Sequence, residues 1–100
     1  SVSHLPHLLA YTTINAITNS ETPNVLSYSG AGLKDFSRIA SSSPEMWADI
    51  FIENSDNLQY QINSFKKSLS TLEEAINDKN KQKLVEFLAQ AKRERDNWIT

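Results

Sequence analysis

Three short stretches of the 100-residue sequence carry residue types that packing alone does not require. The first holds His4 and His7, the two histidines of the chain, whose spacing of three places them on one face of a helix. Structural zinc takes four protein ligands and catalytic zinc three, and the sequence offers no third ligand at a usual spacing. We therefore predict no metal site here. We expect the histidines to hydrogen-bond to an anion or to a neighbouring helix.

The second stretch is a glycine-containing turn that leads into a charged helix. The segment Ser29-Gly30-Ala31-Gly32 exposes backbone amides at the positive end of a helix dipole, which favours an anion. Arg38 presents a planar fork to a carboxylate, and Asp35 lies one turn before it on the same face, where it can orient the guanidinium. The alternative is a capped helix with an ordinary surface ion pair. It stays open because Gly-x-Gly alone matches neither the P-loop nor the full dinucleotide fingerprint.

The third stretch is Ser43-Pro44-Glu45-Met46-Trp47. A Trp early in an amphipathic helix is most often a core or interface anchor, although this position after the Arg38 helix also allows Trp47 to close a pocket. The sequence provides no nucleophile with its base and no carboxylate pair for glycosidic chemistry. From the residues alone we predict a chain that binds an anion, pairs with itself and does not catalyse a reaction by itself.

Composition limits the class of protein further. Ten Lys and Arg against twelve Asp and Glu leave a net charge of −2, which does not favour a nucleic-acid or membrane surface. No run approaches the ~18 apolar residues of a membrane span. The absence of Cys excludes a disulfide scaffold and favours the cytoplasm. The length suits one domain with one core, and because the chain begins at Ser1 without Met we expect it to be a piece of a longer protein.

The apolar pattern predicts an all-α fold that positions these stretches. The first helix is expected from Ser3 to about Asn19, and a short helix from about Leu33 to Ala40. The segment 19–24 is expected to be a loop. A last helix is expected to end at about Trp98. The predicted inward residues of the first and last helices are Leu5, Leu8, Leu9, Tyr11, Ala16, Ile17, Leu84, Phe87, Leu88, Ala91 and Trp98.

Between them we predict one long amphipathic helix that begins at Ser43-Pro44, with Ser43 as N-cap, and ends at residues 77–80. Unbroken, its apolar seam would be about 45 Å long at ~1.5 Å per residue, too long for a globule of this size to cover. We predict that a second copy covers the seam in a two-fold homodimer. The alternative is a break at Asn54, with two helices that fold back in one subunit. The seam consists of Trp47, Phe51, Leu58, Ile62, Phe65, Leu69, Leu72 and Ile76.

Three motifs, in this order, resemble the prephenate dehydrogenase family: Ser3-His4-Leu5-Pro6-His7, the segment 29–40 and the segment 44–50. The resemblance covers the helical C-terminal dimerization and substrate domain, so residues 1–100 are expected to form one such domain in an intertwined homodimer. It implies an enzyme that oxidatively decarboxylates prephenate to 4-hydroxyphenylpyruvate in tyrosine biosynthesis. It also implies that NAD or NADP and the catalytic histidine belong to an N-terminal Rossmann domain absent from this chain, which then has no catalytic residue and is not active alone.

The resemblance implies roles for individual residues. Arg38 matches the arginine that anchors a substrate carboxylate, and Asp35 matches the aspartate that pairs with it and gates the pocket. His7 matches a histidine that contacts the substrate or the inhibitor tyrosine. Trp47 matches a tryptophan that reaches the pocket from the partner subunit.

Two further positions are carried over as backbone contacts to the ring end of the substrate, namely Ala31 and Gly32. The family often has glycine where this chain has Ala31. Two other functions stay open at this point, an arogenate-type dehydrogenase and a non-catalytic helical adaptor that only dimerizes. A Rossmann unit encoded upstream of Ser1 would favour a dehydrogenase over the adaptor.

Overall fold

The chain folds into helices, and no strand occurs in residues 4–18 and 31–98, which the computed structural model describes. The predicted all-α fold is confirmed. The predicted start at Ser3, the predicted loop 19–24 and Ser29-Gly30 lie outside the described residues. The α-helices are α1 Leu5–Thr18, α2 Ala31–Ser37, α3 Pro44–Glu53, α4 Ser55–Asn77 and α5 Lys81–Trp98, and a 3-10 helix, η1, spans Arg38–Ser41.

The chain divides into two units, Ser1–Gln61 and Ile62–Thr100. In the first unit, α1 packs against α2 and η1. Ala10 is completely buried, and Ile14 and Ile17, one and two turns later, are half-buried. The predicted inward position of Ala16 is wrong, because six residues place it about 120° around the helix from Ala10.

Helix α3 begins as predicted. The Ser43 side chain accepts a hydrogen bond from the Met46 amide at 3.3 Å, and Pro44 is the first helical residue. The N-cap satisfies an amide that has no partner within the helix, and the fixed backbone angle of proline suits the first turn.

Asn54 interrupts the predicted long helix, so the prediction of one unbroken helix is wrong and the structure has the interruption that was given as the alternative. Its side-chain amide donates to the Ile50 carbonyl at 2.8 Å, and its backbone has φ −112° and ψ 26°. Helix α3 therefore ends at Glu53, and α4 begins at Ser55. At 23 residues, α4 is the longest helix in the described part of the chain. It measures about 35 Å at ~1.5 Å per residue.

In the second unit, a tight turn joins α4 to α5. The Asn80 amide donates to the Ala75 carbonyl, and the Lys79 amide donates to the Ile76 carbonyl, both at 3.0 Å. These two bonds form a Schellman motif, in which Lys79 takes the left-handed conformation with φ 52°. The Asn80 side chain then accepts from the Lys83 amide at 3.1 Å and caps α5.

Replacing Lys79 with glycine is expected to stabilise the chain, because the left-handed conformation costs a non-glycine residue roughly 1 kcal/mol and glycine almost nothing. A gain of that size raises the melting temperature by about 4–8 °C. Thermal unfolding followed by circular dichroism measures the change. Lys66→Gly, in the exposed interior of α4, is the control and should lower the melting temperature instead. A lower value for Lys79→Gly would contradict the argument.

The second unit leaves many large apolar side chains exposed in a single chain. On α5, Leu84 and Phe87 are half-buried, whereas Leu88, Ala91 and Trp98 are exposed. The prediction that these last three point inward is therefore wrong for one chain. The apolar residues of α5 therefore extend beyond the side of the helix that the rest of the chain covers. On the part of α4 in this unit, Phe65, Leu69 and Ile76 are exposed, with exposed fractions of 40%, 52% and 55%.

Candidate functional site

Two histidines and a tryptophan form a ring cluster in the first unit. The imidazole of His7 stacks on the Trp47 indole, with centroids 3.7 Å apart and planes inclined by 15°. His4 meets the same indole edge-on, at 5.9 Å and 77°. The His4 carbonyl accepts from the Leu8 amide at the start of α1, and the Ser43 carbonyl accepts from the Trp47 amide at the start of α3. The cluster therefore joins the first turns of two helices.

Two polar atoms of this cluster are buried without a hydrogen-bond partner among the described residues. They are the Nδ1 atoms of His4 and His7. Buried side-chain nitrogens nearly always have a hydrogen-bond partner. Without one, the nitrogen has lost its hydrogen bonds to water and gained none in return, which destabilises the folded state. A polar group of a ligand, a water molecule or another chain would lower the free energy here.

A shallow groove of about 190 Å³ lies beside the cluster. Its lining residues are Tyr11, Pro44, Trp47, Ala48 and Phe51. The Phe51 ring is tilted by 55° to the Trp47 indole, with centroids 5.8 Å apart. Pockets that enclose a small molecule usually measure about 300–1,000 Å³, so this groove provides one wall of a site and needs further walls.

Asp35 and Arg38 form the ion pair that their spacing predicted. The distance from Arg38 Nη2 to Asp35 Oδ1 is 3.1 Å, and the two side chains are 78% and 80% exposed. Because the pair is so exposed, it contributes little to stability. The guanidinium has five N–H donors in a rigid fork, so an incoming carboxylate can bind Arg38 while Asp35 holds its orientation.

The structure gives little support to a glycine-dependent turn at Gly32. Helix α2 begins at Ala31, so Gly32 lies in its first turn. No described glycine has a positive φ, and a Cβ on Gly32 would meet nothing within 4 Å. The side chain of Ala31 lies outside the described residues. The backbone contact assigned to these two positions stays a prediction.

The predicted site residues thus come together in two pairs, His7 with Trp47 and Asp35 with Arg38. The helix η1, which begins at Arg38, packs against α1, which carries His7. Trp47 stacks on a histidine of its own chain, and its predicted reach from a partner subunit stays a prediction.

Sequence reasoning gave no role at the site to Tyr11 or Phe51, both of which line the groove. Each follows a predicted site residue by four positions, Tyr11 after His7 and Phe51 after Trp47. That spacing places each pair on one helix face, and this signal was available in the sequence.

No group of three or more His, Asp or Glu side chains in the described ranges could hold a metal ion. None of the helices described here is long and apolar enough to cross a membrane.

Comparison with known proteins places the chain in a family. Residues 1–90 match the family model described as "Prephenate dehydrogenase, dimerization domain". The chain belongs to this prephenate dehydrogenase family. It is 30% identical over 97 residues to the prephenate dehydrogenase of Bacillus subtilis, a match that covers 95% of this chain and 26% of that protein. It is 33% identical over 97 residues to the cyclohexadienyl dehydrogenase of Zymomonas mobilis, with coverage of 93% and 33%.

The prephenate dehydrogenase resemblance noted from the three motifs is thereby confirmed. No solved structure is significantly similar to the chain. The chain spans only 26% and 33% of the lengths of the two relatives, so most of each relative has no counterpart in these 100 residues.

Proposed function

We propose that this chain is the helical part of a longer prephenate dehydrogenase, in which it joins two subunits and holds the carboxylate of the substrate. The family match over residues 1–90 carries the proposal. The two relatives are dehydrogenases about three to four times as long as the matched region, as their coverage of 33% and 26% implies. The remaining part would contain the N-terminal nucleotide-binding domain and the catalytic histidine.

The geometry of the first unit supports substrate binding. Prephenate is a dicarboxylate with a six-membered ring. The exposed guanidinium of Arg38 suits one carboxylate, and Asp35 at 3.1 Å keeps the fork oriented when no ligand is bound. The stacked rings of His7 and Trp47 offer a flat wall, and their cluster contains two buried nitrogens that lack partners in the described residues. Tyrosine lacks the ring carboxylate, so as an inhibitor it would reach Arg38 through the carboxylate of its amino-acid group.

Dimerization is supported by the apolar residues that one chain leaves uncovered. Phe65, Leu69 and Ile76 follow one face of α4 at helical spacing, and each is at least 40% exposed. The family is described as a dimerization domain. A second copy that covers this face would form a homodimer of the intertwined kind that the resemblance implies, and each subunit would help to complete the partner's pocket.

The described residues do not fit the nicotinamide nucleotide that such an enzyme uses. A dinucleotide site needs a strand, a glycine-rich turn and a helix that begins at the pyrophosphate. The described ranges are helical, and Gly32 lies within α2 rather than between a strand and a helix. We therefore assign NAD or NADP to the N-terminal domain of the longer enzyme.

One comparison favours a second substrate. The Zymomonas relative, at 33% identity, is named a cyclohexadienyl dehydrogenase. Prephenate and arogenate are both cyclohexadienyl compounds, and they share the ring carboxylate. They differ at the side chain, where arogenate has an amino acid in place of a keto acid. An enzyme that recognises mainly the ring carboxylate would accept both.

The test is an assay of the protein expressed from the complete coding sequence, with prephenate or arogenate and with NAD or NADP. We expect prephenate-dependent reduction of one nucleotide, followed at the nicotinamide absorbance, with release of carbon dioxide and 4-hydroxyphenylpyruvate. Faster reduction with arogenate would assign the arogenate-type activity. A folded dimer that reduces neither nucleotide with either compound would support the non-catalytic adaptor and contradict the proposal.

A further inference from the structure

The Tyr11 side chain forms a hydrogen bond between α1 and the segment that precedes α3. Its hydroxyl donates to the Ser42 carbonyl at 2.8 Å, across 31 residues of sequence. Ser42 is followed directly by Ser43, whose side chain caps α3. The bond therefore fixes the point from which α3 starts, relative to the helix that carries His7.

The same tyrosine lies beside the ring cluster. Tyr11 follows His7 by one helical turn, and its ring lines the groove together with Trp47 and Phe51. Trp47 is in the first turn of α3, four residues after the capping serine. Any shift of the Ser42–Ser43 backbone would therefore move the indole against the His7 imidazole, which it meets at 3.7 Å.

We propose that Tyr11 is a positioning residue, whose hydroxyl holds the start of α3 so that Trp47 stacks on His7. Ser42 is a suitable anchor because a second hydrogen bond also holds it. Its hydroxyl donates to the carbonyl of Ile39, in η1, at 3.0 Å. The role of this stack in substrate binding rests on the proposed function. The positioning of Trp47 by Tyr11 does not.

The test is Tyr11→Phe, which removes the hydroxyl and keeps the ring. It is made in a Trp98→Phe background, since Trp98 is 82% exposed and is the second of the two tryptophans. The remaining fluorescence and the tryptophan band of the near-ultraviolet circular dichroism then report on Trp47 alone. Loss of one neutral hydrogen bond should shift the equilibrium away from the stacked arrangement by about two- to tenfold. We expect acrylamide quenching of Trp47 to rise and its near-ultraviolet band to weaken, with the helical signal retained.

Two variants serve as matched controls. Tyr60→Phe removes a hydroxyl from a tyrosine that is 75% exposed on α4. Thr12→Val removes a bond of the same 2.8 Å length that stays inside α1, from the Thr12 hydroxyl to the Leu8 carbonyl. Both should leave the Trp47 signals unchanged. Tyr11→4-aminophenylalanine, which keeps a donor at the same place, should restore them.

Unchanged Trp47 signals in Tyr11→Phe would overturn the proposal. So would a loss of the helical signal, because Tyr11 would then serve the stability of the whole first unit. In the longer dehydrogenase, Tyr11→Phe should raise KM for prephenate about two- to tenfold at unchanged kcat. An equal fall of kcat would contradict positioning of a binding wall. An inactive wild-type enzyme would contradict the proposed function and leave the fluorescence result to decide on Tyr11.

Discussion

Replacing Arg38 with alanine should raise KM for prephenate by roughly ten- to a hundredfold in the longer dehydrogenase that we propose. That factor corresponds to the ~1.5–3 kcal/mol of a hydrogen bond to a charged group. Stability should hardly change, because the ion pair with Asp35 is 78% and 80% exposed and such pairs are worth at most about 1 kcal/mol. A higher KM at an unchanged melting temperature distinguishes an arginine that binds the substrate from one that only forms a surface ion pair. Initial-rate kinetics and thermal unfolding of the same preparation measure both quantities.

The chain offers a close control for this experiment. Lys92 pairs with Asp96 at 2.9 Å on α5, and its side chain is also 78% exposed. Lys92→Ala therefore removes a cation as exposed as Arg38 from another surface ion pair, far along the sequence from the candidate site. It should leave KM unchanged. A KM for Arg38→Ala equal to that of Lys92→Ala would remove Arg38 from substrate binding.

Replacing Leu69 with glutamate should dissociate the proposed homodimer, raising its dissociation constant at least about a hundredfold. Leu69 lies on the apolar face of α4 and is 52% exposed in a single chain. A second copy on this face would bury the new carboxylate, which costs several kcal/mol when no partner compensates it, and the two-fold axis applies the cost twice. The single chain should tolerate the change, because the position is open to water there. Sedimentation equilibrium over a range of micromolar concentrations measures the association.

The control is Thr71→Glu, two residues further along α4. Each residue turns a helix by about 100°, so Thr71 lies roughly opposite Leu69, and it is exposed in the chain. It introduces the same charge into the same helix and should leave the dimer intact. Dissociation by both variants would indicate a general effect of charge or helix stability. A wild-type chain that stays monomeric at every concentration would contradict the dimer itself.

The helices of this fold could be predicted because their signals are local. The cap at Ser43 with Pro44 and the apolar steps along α4 each depend on neighbouring residues, and both are confirmed. The break at Asn54 was only the alternative to one long helix, because the apolar pattern continues on both sides of it. The short helix after the glycines was placed less well. The structure has α2 at Ala31–Ser37 and a separate 3-10 helix from Arg38. Choosing between two helical hydrogen-bond patterns depends on packing against α1, which a local pattern does not contain.

The candidate site could be predicted only as separate parts. The pairing of Asp35 with Arg38 follows from spacing on one helical segment, and it is confirmed. The stacking of His7 on Trp47 joins residues 40 positions apart, and the Tyr11 bond to Ser42 spans 31. Contacts of that range are set by how α1 meets the following helices. The family resemblance assigned roles to His7 and Trp47 separately, and only the fold shows that the two rings stack.

The side chain of Asn54 has a mechanical consequence. Its bond to the Ile50 carbonyl and its non-helical backbone make Asn54 the single residue that separates α3 from α4. In one continuous helix, any rotation of α4 about its axis would also rotate the first turn of α3. A change in the backbone torsion angles of one non-helical residue can take up such a rotation instead. In the proposed homodimer, a rotation of α4 on binding a second copy would then not have to be carried into α3. The amide side chain of Asn54 would then separate the two proposed roles of the chain, small-molecule binding in the first unit and assembly through α4.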